Sequence, residues 1–385
     1  MRDSGPVVHV AGTGLAGAGY PNAGETIRIL REKLGVEVVD HSAWLPPGTT
    51  LWRKAAGLGG LLFLLRLVLV NAREALRTWR VGRAPGHWVF APYPSVFYLW
   101  WLSWVPRSLR PRVVADAYVS LWDAAFRDRG MGSESGLASR LVRRFEARAL
   151  RAAATVHVDT IANRDWFVAR FNLDPGRVRA IPLAIRDPGA LPATQGQGRL
   201  RVLFLGTLVP LHGVSVIAGA IRRLADMGCA IDFVVAGDGQ DRGALDALSS
   251  GPDRGAGLTW IREWQDEKAV AGLVRGADVC LGVFGGSGKA ARVLPFKVYL
   301  ALAAGKPLVT QASYSLPEGA AAIPAITVVP ECEALAEALA ALAGEPSRLQ
   351  ALGTSARAYY QQHLGADRIA EAWARLLAEG KRRAG

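Results

Sequence analysis

The chain has 385 residues, of which 50% are hydrophobic and 21% are charged. This composition excludes a disordered protein and leaves room for two or three domains. The formal net charge of +13 is uneven, because residues 1–190 hold 26 Lys and Arg against 15 Asp and Glu. A basic first half indicates an anionic partner, either nucleic acid or an anionic membrane surface.

The three cysteines, Cys229, Cys280 and Cys332, lie far apart in the sequence. Their spacing fits neither a metal site nor a disulfide framework, so it favours a reducing compartment. The first residues include no secretory hydrophobic region with a cleavage site. We therefore expect a cytoplasmic protein.

A glycine-rich loop follows the first predicted strand, Val7 to Ala11. Gly12, Gly14 and Gly17 fit the pattern G-x-G-x-x-G, which suggests a dinucleotide site. The spacing weakens that interpretation. The next helix is predicted to begin at Asn22, with Asn22 and Glu25 as an approximate capping box, so the third glycine precedes the helix instead of opening it. Asp40, at the end of the second predicted strand, also comes late for the usual acidic residue.

An apolar segment, Leu58 to Val70, is too short to span a bilayer and is interrupted by Arg66. Its basic surroundings allow two interpretations, an interfacial helix on anionic lipid or a buried helix with a basic outer face. The second apolar segment, Tyr93 to Arg110, combines tryptophan and arginine as membrane interfaces do. It is too apolar for the exposed stacking platforms of nucleic-acid binding proteins, which favours the membrane. The basic residues in and around the first segment are Arg53, Lys54, Arg66, Arg73, Arg77 and Arg80. The tryptophans and arginines of the second segment are Trp100, Trp101, Trp104, Arg107 and Arg110.

Asp116 directly follows a short predicted strand, Val113 to Ala115. Carboxylates just past the carboxyl end of a strand meet ligands in α/β sheets, so we predict that Asp116 contacts an acceptor hydroxyl. The alternatives are a helix cap and a salt bridge with Arg127. The charged helix predicted at Leu137 to Ala153 is interpreted as solvent-facing.

Proline and glycine interrupt all regular structure between Ile181 and Gly198. A new β-α series then begins at Leu200. We therefore predict an N-terminal domain at residues 1–190, a C-terminal domain at 191–375 and a basic tail at 376–385.

The segment from Val274 to Thr310 has the strongest pattern in the chain. It reads as a strand ending at Phe284, a loop with three glycines, a helix from Pro295 to Ala304 and another strand. A glycine loop before a helix N-terminus is an anion site in α/β sheets. Three cations, Lys289, Arg292 and Lys297, indicate a doubly negative group such as a diphosphate. The alternative is a solvated basic face.

This segment resembles the nucleotide-sugar site of GT-B glycosyltransferases of family 4, which share the ending A-x-G-x-P seen at residues 303–307. Two further motifs agree in order and spacing, LGTLVPLHG at 205–213 and VVAGDGQ at 234–240. The resemblance covers roughly Arg199 to Arg375. It implies an α/β protein of GT-B fold, with two Rossmann-like domains facing across a cleft and a last helix that crosses back onto the first domain.

The resemblance also implies an enzyme that moves a sugar from a nucleotide-diphosphate sugar to a hydroxyl of a lipid-linked or polysaccharide acceptor, with retention of configuration. The donor is a substrate, and no cofactor is expected. No D-x-D metal motif occurs in the chain, so we expect a metal-independent reaction. The expected partners are the donor, a glycan or lipid-linked acceptor and an anionic membrane surface, without nucleic acid. The expected location is the cytoplasm, with peripheral attachment to the inner face of the cell membrane as a further option.

Four positions depart from the family pattern. Arg292 and Leu300 replace two glutamates, and Thr207 and His212 replace two cations. Either the donor is held differently or the protein is a non-catalytic subunit that needs a partner; the added cations favour the first. The predicted catalytic residues are Asp116, His212 and Lys297. The predicted donor-binding residues are Gly206, Thr207, Gly213, Gly237, Asp238, Trp264, Gly286, Lys289, Arg292, Pro295 and Val298, with no metal ligand.

Overall fold

The computed structural model describes residues 5–15, 17, 19–46, 49, 57–191, 198–249 and 257–382. The chain forms two compact units, Met1–Ala184 with Ala366–Gly385, and Ile185–Gly365. This division differs from the predicted domains at the C-terminus. Residues 366–382 form one helix, whose Ile369, Trp373 and Leu377 pack in the core of the first unit.

The first unit is built on a six-stranded parallel sheet with the order β3-β1-β5-β6-β7-β8. Its strands are apolar on both faces, as expected of a parallel sheet covered by helices on both sides. They are β1 Val7–Val10, β3 Glu37–Asp40, β5 His87–Ala91, β6 Val113–Asp116, β7 Thr155–Val158 and β8 Val178–Ala180, and a small pair is formed by β2 Thr13–Gly14 and β4 Ala43–Trp44.

Helices cover both faces of this sheet. One core cluster joins the strands to α2, α3, α5 and α6, and the other joins them to α1 and the C-terminal α14. The helices are α1 Asn22–Glu32, α2 Gly57–Val81, α3 Val96–Leu102, α4 Leu121–Phe126, α5 Leu137–Leu150, α6 Ile161–Phe171 and α14 Ala366–Arg382. No helix of the described ranges is long and apolar enough to cross a membrane.

The second unit repeats the plan, with the strand order β11-β10-β9-β12-β13-β14 and parallel pairing throughout. The α/β class predicted from the sequence is therefore confirmed. The strands are β9 Leu200–Leu205, β10 Ile231–Ala236, β11 Leu258–Ile261, β12 Val279–Leu281, β13 Leu308–Gln311 and β14 Ile326–Val328. The helices are α7 Val214–Asp226, α8 Gly243–Ser249, α9 Glu267–Arg275, α10 Lys289–Arg292, α11 Phe296–Ala303, α12 Cys332–Ala340 and α13 Pro346–Tyr359.

The glycine loop after β1 is filled by the protein itself. A Cβ on Gly12 would lie 2.9 Å from Tyr98 Cβ, and one on Gly14 would lie 2.5 Å from the Trp44 ring. Asn71 of α2 accepts a hydrogen bond from the Thr13 amide at 3.1 Å and donates to Thr13 Oγ1 at 2.8 Å. These glycines admit neighbouring side chains, so their presence needs no dinucleotide.

A buried polar network surrounds Asp116 at the end of β6. Asn22 Nδ2 donates to Asp116 Oδ2 at 2.8 Å, and His157 Nδ1 lies 3.2 Å from Asp116 Oδ1. Asn22 Oδ1 also accepts the Ala184 amide at 2.7 Å. The predicted capping box is therefore wrong. The Asn22 side chain makes no cap bond, because it is turned inward to this network.

The network is ionic in character. His157 Nε2 lies 3.1 Å from the carbonyl of Ile181, so a ring that donates at both nitrogens would be a cation facing Asp116. Burial would lower the pKa of His157, but the contact with Asp116 outweighs it and raises the pKa. Asp116 is fully buried, so its position gives it a structural role, while its acceptor contact stays a prediction.

We expect Asp116→Ala to lower the free energy of unfolding by about 3–5 kcal/mol, because it removes one partner of the buried His157–Asp116 pair and leaves the buried Asn22 amide without its acceptor. Urea unfolding followed by circular dichroism measures this loss. The matched control is Asp165→Ala, which removes an exposed carboxylate paired with Arg164 at 2.9 Å and should change stability by less than about 0.5 kcal/mol. Equal effects in the two variants would contradict the structural role.

Candidate functional site

Three loops of the second unit follow neighbouring strands at the carboxyl edge of its sheet. Gly206 follows β9, Gly237 follows β10, and residues 282–288 follow β12. Since β9 lies between β10 and β12 and all three are parallel, the loops meet at one place. Ligands of α/β sheets bind at this edge.

Glycines let the loops come together without side chains between them. A Cβ on Gly237 would clash with the Gly206 carbonyl, and one on Gly213 would clash with the Phe284 carbonyl. Gly206, Gly213, Gly237 and Gly286 also have positive φ, from +64° to +144°, which other residues adopt at a cost. The loop backbones therefore approach one another closely at this edge.

Lys297 lies in the first turn of α11 and points into the glycine loops. Its Nζ is 3.8 Å from the centre of the Phe204 ring, and a Cβ on Gly206 would lie 2.8 Å from it. The residue as a whole is half-buried, but Nζ is inaccessible and has no hydrogen-bond partner in the described part of the chain. Burial lowers the pKa of Lys297 well below 10.5.

His212 closes the other side of Gly206. It ends the short 3-10 turn Pro210–His212, and its Nδ1 bonds the carbonyl of Thr207. Burial first, and then the charge of Lys297, lower its pKa well below 6.5. The ring is therefore neutral in the empty site. Nδ1 donates to the carbonyl, which leaves Nε2 without a proton.

The remaining predicted cations, Lys289 and Arg292, lie on the short helix α10, which follows the loop after β12. Lys289 is half-buried, and its charge also lowers the pKa of His212, whereas Arg292 is only 7% exposed. Pro295 immediately precedes α11, within one residue of the predicted helix start. The helix N-terminus thus adds its positive dipole end to the charges of Lys289 and Lys297.

The other predicted donor-binding residues occupy different positions around the edge. Asp238 is exposed, accepts the Gly239 amide at 2.8 Å and lies 3.8 Å from Arg242. Trp264 is 51% exposed on the loop after β11, and Thr207 is exposed beside Gly206. Val298, in contrast, is buried at 1% exposure. Asp116 belongs to the first unit and is not part of this cluster.

Three residues that position the site escaped the sequence analysis. Gln311, at the end of β13, bonds both the amide and the carbonyl of Gly286 at 2.8 Å and so holds that glycine loop. Trp260 Nε1 donates to the Gly237 carbonyl at 2.9 Å. Phe204 supplies the ring beneath Lys297. The only sequence signal was a polar residue ending an apolar strand, at Gln311.

Residues 199–345 match the family described as glycosyl transferases group 1. The match lies within the second unit, which is similar to this family over those residues. This match confirms the family resemblance and the predicted enzyme class, a glycosyltransferase. It also includes every residue of the cluster around Lys297. No functionally curated protein is similar to the chain in sequence.

Solved structures of glycosyltransferases are similar in fold along almost the whole chain. HepE of Anabaena, in complex with UDP and glucose, has 14% identity and a TM-score of 0.62 over 97% of this chain and 100% of HepE. A UDP-forming α,α-trehalose-phosphate synthase of Burkholderia xenovorans has 12% identity and a TM-score of 0.64 over 97% and 99%. TarM of S. aureus has 10% identity and a TM-score of 0.59 over 81% and 59%. These identities establish the fold alone and confirm the GT-B class, with two Rossmann-like units.

We expect Lys297→Met to weaken binding of a nucleoside diphosphate by roughly 10- to 150-fold, the value of a hydrogen bond to a charged group of about 1.5–3 kcal/mol. The same variant should unfold at a higher urea concentration in the absence of ligand, because it removes a buried amine that has no hydrogen-bond partner among the described residues. Titration calorimetry and urea unfolding measure the two effects. The control Lys268→Met removes an exposed cation of α9 and should change neither; equal affinity of both variants would contradict the role of Lys297.

Binding should also take up protons, because the pKa values of Lys297 and His212 are lowered in the empty site and a bound diphosphate favours their charged forms. Affinity is therefore expected to fall as the pH rises. Calorimetry at about pH 8 in two buffers of different ionisation enthalpy counts the protons, since the terminal phosphate, with a pKa of about 6, is already ionised there. Proton release, or equal uptake by Lys297→Met, would contradict the assignment.

Proposed function

We propose that the protein transfers a sugar from a nucleotide-diphosphate sugar to a hydroxyl of a lipid-linked or polysaccharide acceptor. The observation that carries the proposal is the buried ammonium of Lys297 above the glycine loops of a unit similar to group 1 glycosyl transferases. HepE has been solved with UDP-glucose, and TarM with UDP and a GlcNAc derivative, which supports a nucleotide-sugar donor.

The proposed reaction places the diphosphate of the donor between Gly206 and the first turn of α11. As the bond between the sugar and the diphosphate breaks, negative charge develops on the leaving oxygen. The ammonium of Lys297 and the positive end of the α11 dipole stabilise that charge without having to reorganise. His212 Nε2 takes a proton when the diphosphate binds and then donates to a phosphate oxygen.

We further propose that transfer is independent of metal and retains the anomeric configuration. Fixed cations at Lys289 and Lys297 supply the charge that a divalent ion supplies elsewhere. Retention is proposed because the second unit is similar to the group 1 family, and no covalent nucleophile is assigned. Activity that persists in excess chelator, together with the anomeric configuration of the product by NMR, tests both statements.

The departures from the family pattern alter how the nucleoside is held. Leu300, on α11, has no group that could bond ribose hydroxyls, and Arg292 is buried near the loop. We propose that the exposed indole of Trp264 and the backbone after Gly237 take over part of the contact with the nucleoside. These two departures also favour the second candidate, a non-catalytic subunit that binds donor or partner without transfer.

The deciding experiment combines ligand stabilisation with donor hydrolysis. One member of a panel of UDP, GDP, ADP, TDP and CMP is expected to add about 2.7 kcal/mol of stability at a hundredfold excess over its dissociation constant. The matching nucleotide-sugar should then be hydrolysed slowly by wild type and not by Lys297→Met. Binding without hydrolysis would point to the non-catalytic subunit, and a flat panel would contradict the donor site itself.

A lipid-linked acceptor would bring the enzyme to the inner face of the cell membrane, as a peripheral protein. The basic first half of the chain supports this proposal. A cytoplasmic location would give the enzyme access to cytoplasmic donor. The three cysteines of the second unit are free thiols, as is usual in a reducing compartment.

A further inference from the structure

Helix α2 presents apolar and basic side chains together on its exposed side. Four leucines of this helix are exposed by 53% to 73%: Leu62, Leu65, Leu69 and Leu76. Four arginines of the same helix are also exposed. All eight positions recur at helical spacings of three and four residues, so they form one stripe. The stripe contains Leu62, Leu65, Arg66, Leu69, Arg73, Leu76, Arg77 and Arg80.

Helix α5 repeats this composition in the same layer. Leu137 and Leu141 are 72% and 54% exposed, and Arg140 and Arg144 are exposed beside them. Both α2 and α5 pack against α3, and all three contribute to the core on one face of the sheet. Their exposed side chains therefore lie in one layer of the unit, and together they are named here the basic-apolar face.

The exposed indole of Trp104 lies just after α3, the helix that packs against both α2 and α5. It is 61% exposed, and the guanidinium of Arg148 stacks on it at 3.7 Å. Of the three tryptophans that suggested an interface in the sequence, Trp100 and Trp101 are half-buried, and Trp101 Nε1 bonds the Val68 carbonyl at 3.0 Å. Trp104 is thus the member of this group placed to meet a partner.

The carboxylates of these helices are turned away from the face. Glu74 of α2 is 4% exposed and Glu146 of α5 is 1% exposed, and Glu146 bonds the amides of Leu121 and Trp122 at the start of α4. Neither helix exposes a carboxylate, and Glu74 pairs with Arg77 at 3.3 Å, so the other exposed arginines leave both stripes with a net positive charge. This arrangement is complementary to an anionic surface that also accepts leucine side chains.

We infer that the basic-apolar face docks the protein onto an anionic lipid bilayer, with the leucines of α2 entering the headgroup and acyl boundary and the arginines contacting lipid phosphates. A second copy of the chain is disfavoured as the occupant, because it would bring two arginine stripes together. A nucleic acid is disfavoured because it has no apolar phase for four leucines. The inference rests on the lipid-linked form of the acceptor in the proposed function, but it uses a different surface from the donor site.

The test is co-sedimentation of the full chain with vesicles of phosphatidylcholine alone or with about 30% phosphatidylglycerol. Wild type should bind the anionic vesicles, and Leu65→Gln/Leu69→Gln should bind them roughly tenfold or more weakly. Arg66→Gln/Arg73→Gln should lose roughly 30-fold on the same vesicles, at about 1 kcal/mol per arginine, together with part of the salt dependence. Met227→Gln, at an exposed apolar position of the second unit, is the matched control and should bind like wild type.

Two results would overturn the inference. One is binding of the leucine variant equal to that of wild type, and the other is a wild-type dimer in sedimentation equilibrium that Leu65→Gln/Leu69→Gln converts to a monomer. Nucleoside-diphosphate binding by the same variants separates this inference from the donor site. If the leucine and arginine variants lose vesicle binding but bind nucleotide like wild type, docking through the basic-apolar face is supported. If Lys297→Met loses nucleotide binding but still binds vesicles, the result concerns the donor site alone.

Discussion

A buried lysine amine with no hydrogen-bond acceptor among the described residues is the constraint on which the second unit depends. Lys297 Nζ lies against the Phe204 ring and above Gly206, where removal from water costs free energy. A site that only had to fold would place an apolar side chain there. The cost is offset when an anion arrives, and for that reason the position of Lys297 is the strongest indication of function in the molecule.

The glycines around Lys297 follow from the same requirement. For the Lys297 amine to lie over Gly206, three loops must approach within contact distance at the end of the sheet. Side chains at Gly206, Gly213 or Gly237 would prevent this approach, either by contact with a neighbouring carbonyl or by backbone strain at positive φ. Gln311 and Trp260 complete the arrangement by bonding the backbone of two of the loops.

The first unit separates its polar groups into two kinds. Asp116, His157 and Asn22 form a closed network inside the unit, which joins the sheet to α1 and to Ala184. The arginines of α2 and α5 face outward among leucines, while the carboxylates of the same helices are buried. The buried network stabilises the fold, whereas the exposed arginines and leucines belong to the face for which a membrane partner is inferred.

The sequence by itself determined the local elements and the donor loop. Apolar runs, glycines and prolines placed α11 within one residue, and three ordered motifs indicated the group 1 family, because strand and turn preferences act over a few residues. Only the tertiary structure decided that Lys297 and not Lys289 has the inaccessible cation, that Asp116 is enclosed, and that the leucines of α2 are exposed. Burial depends on contacts with residues far away in the chain, such as Phe204 for Lys297 and His157 for Asp116, and no local pattern contains them.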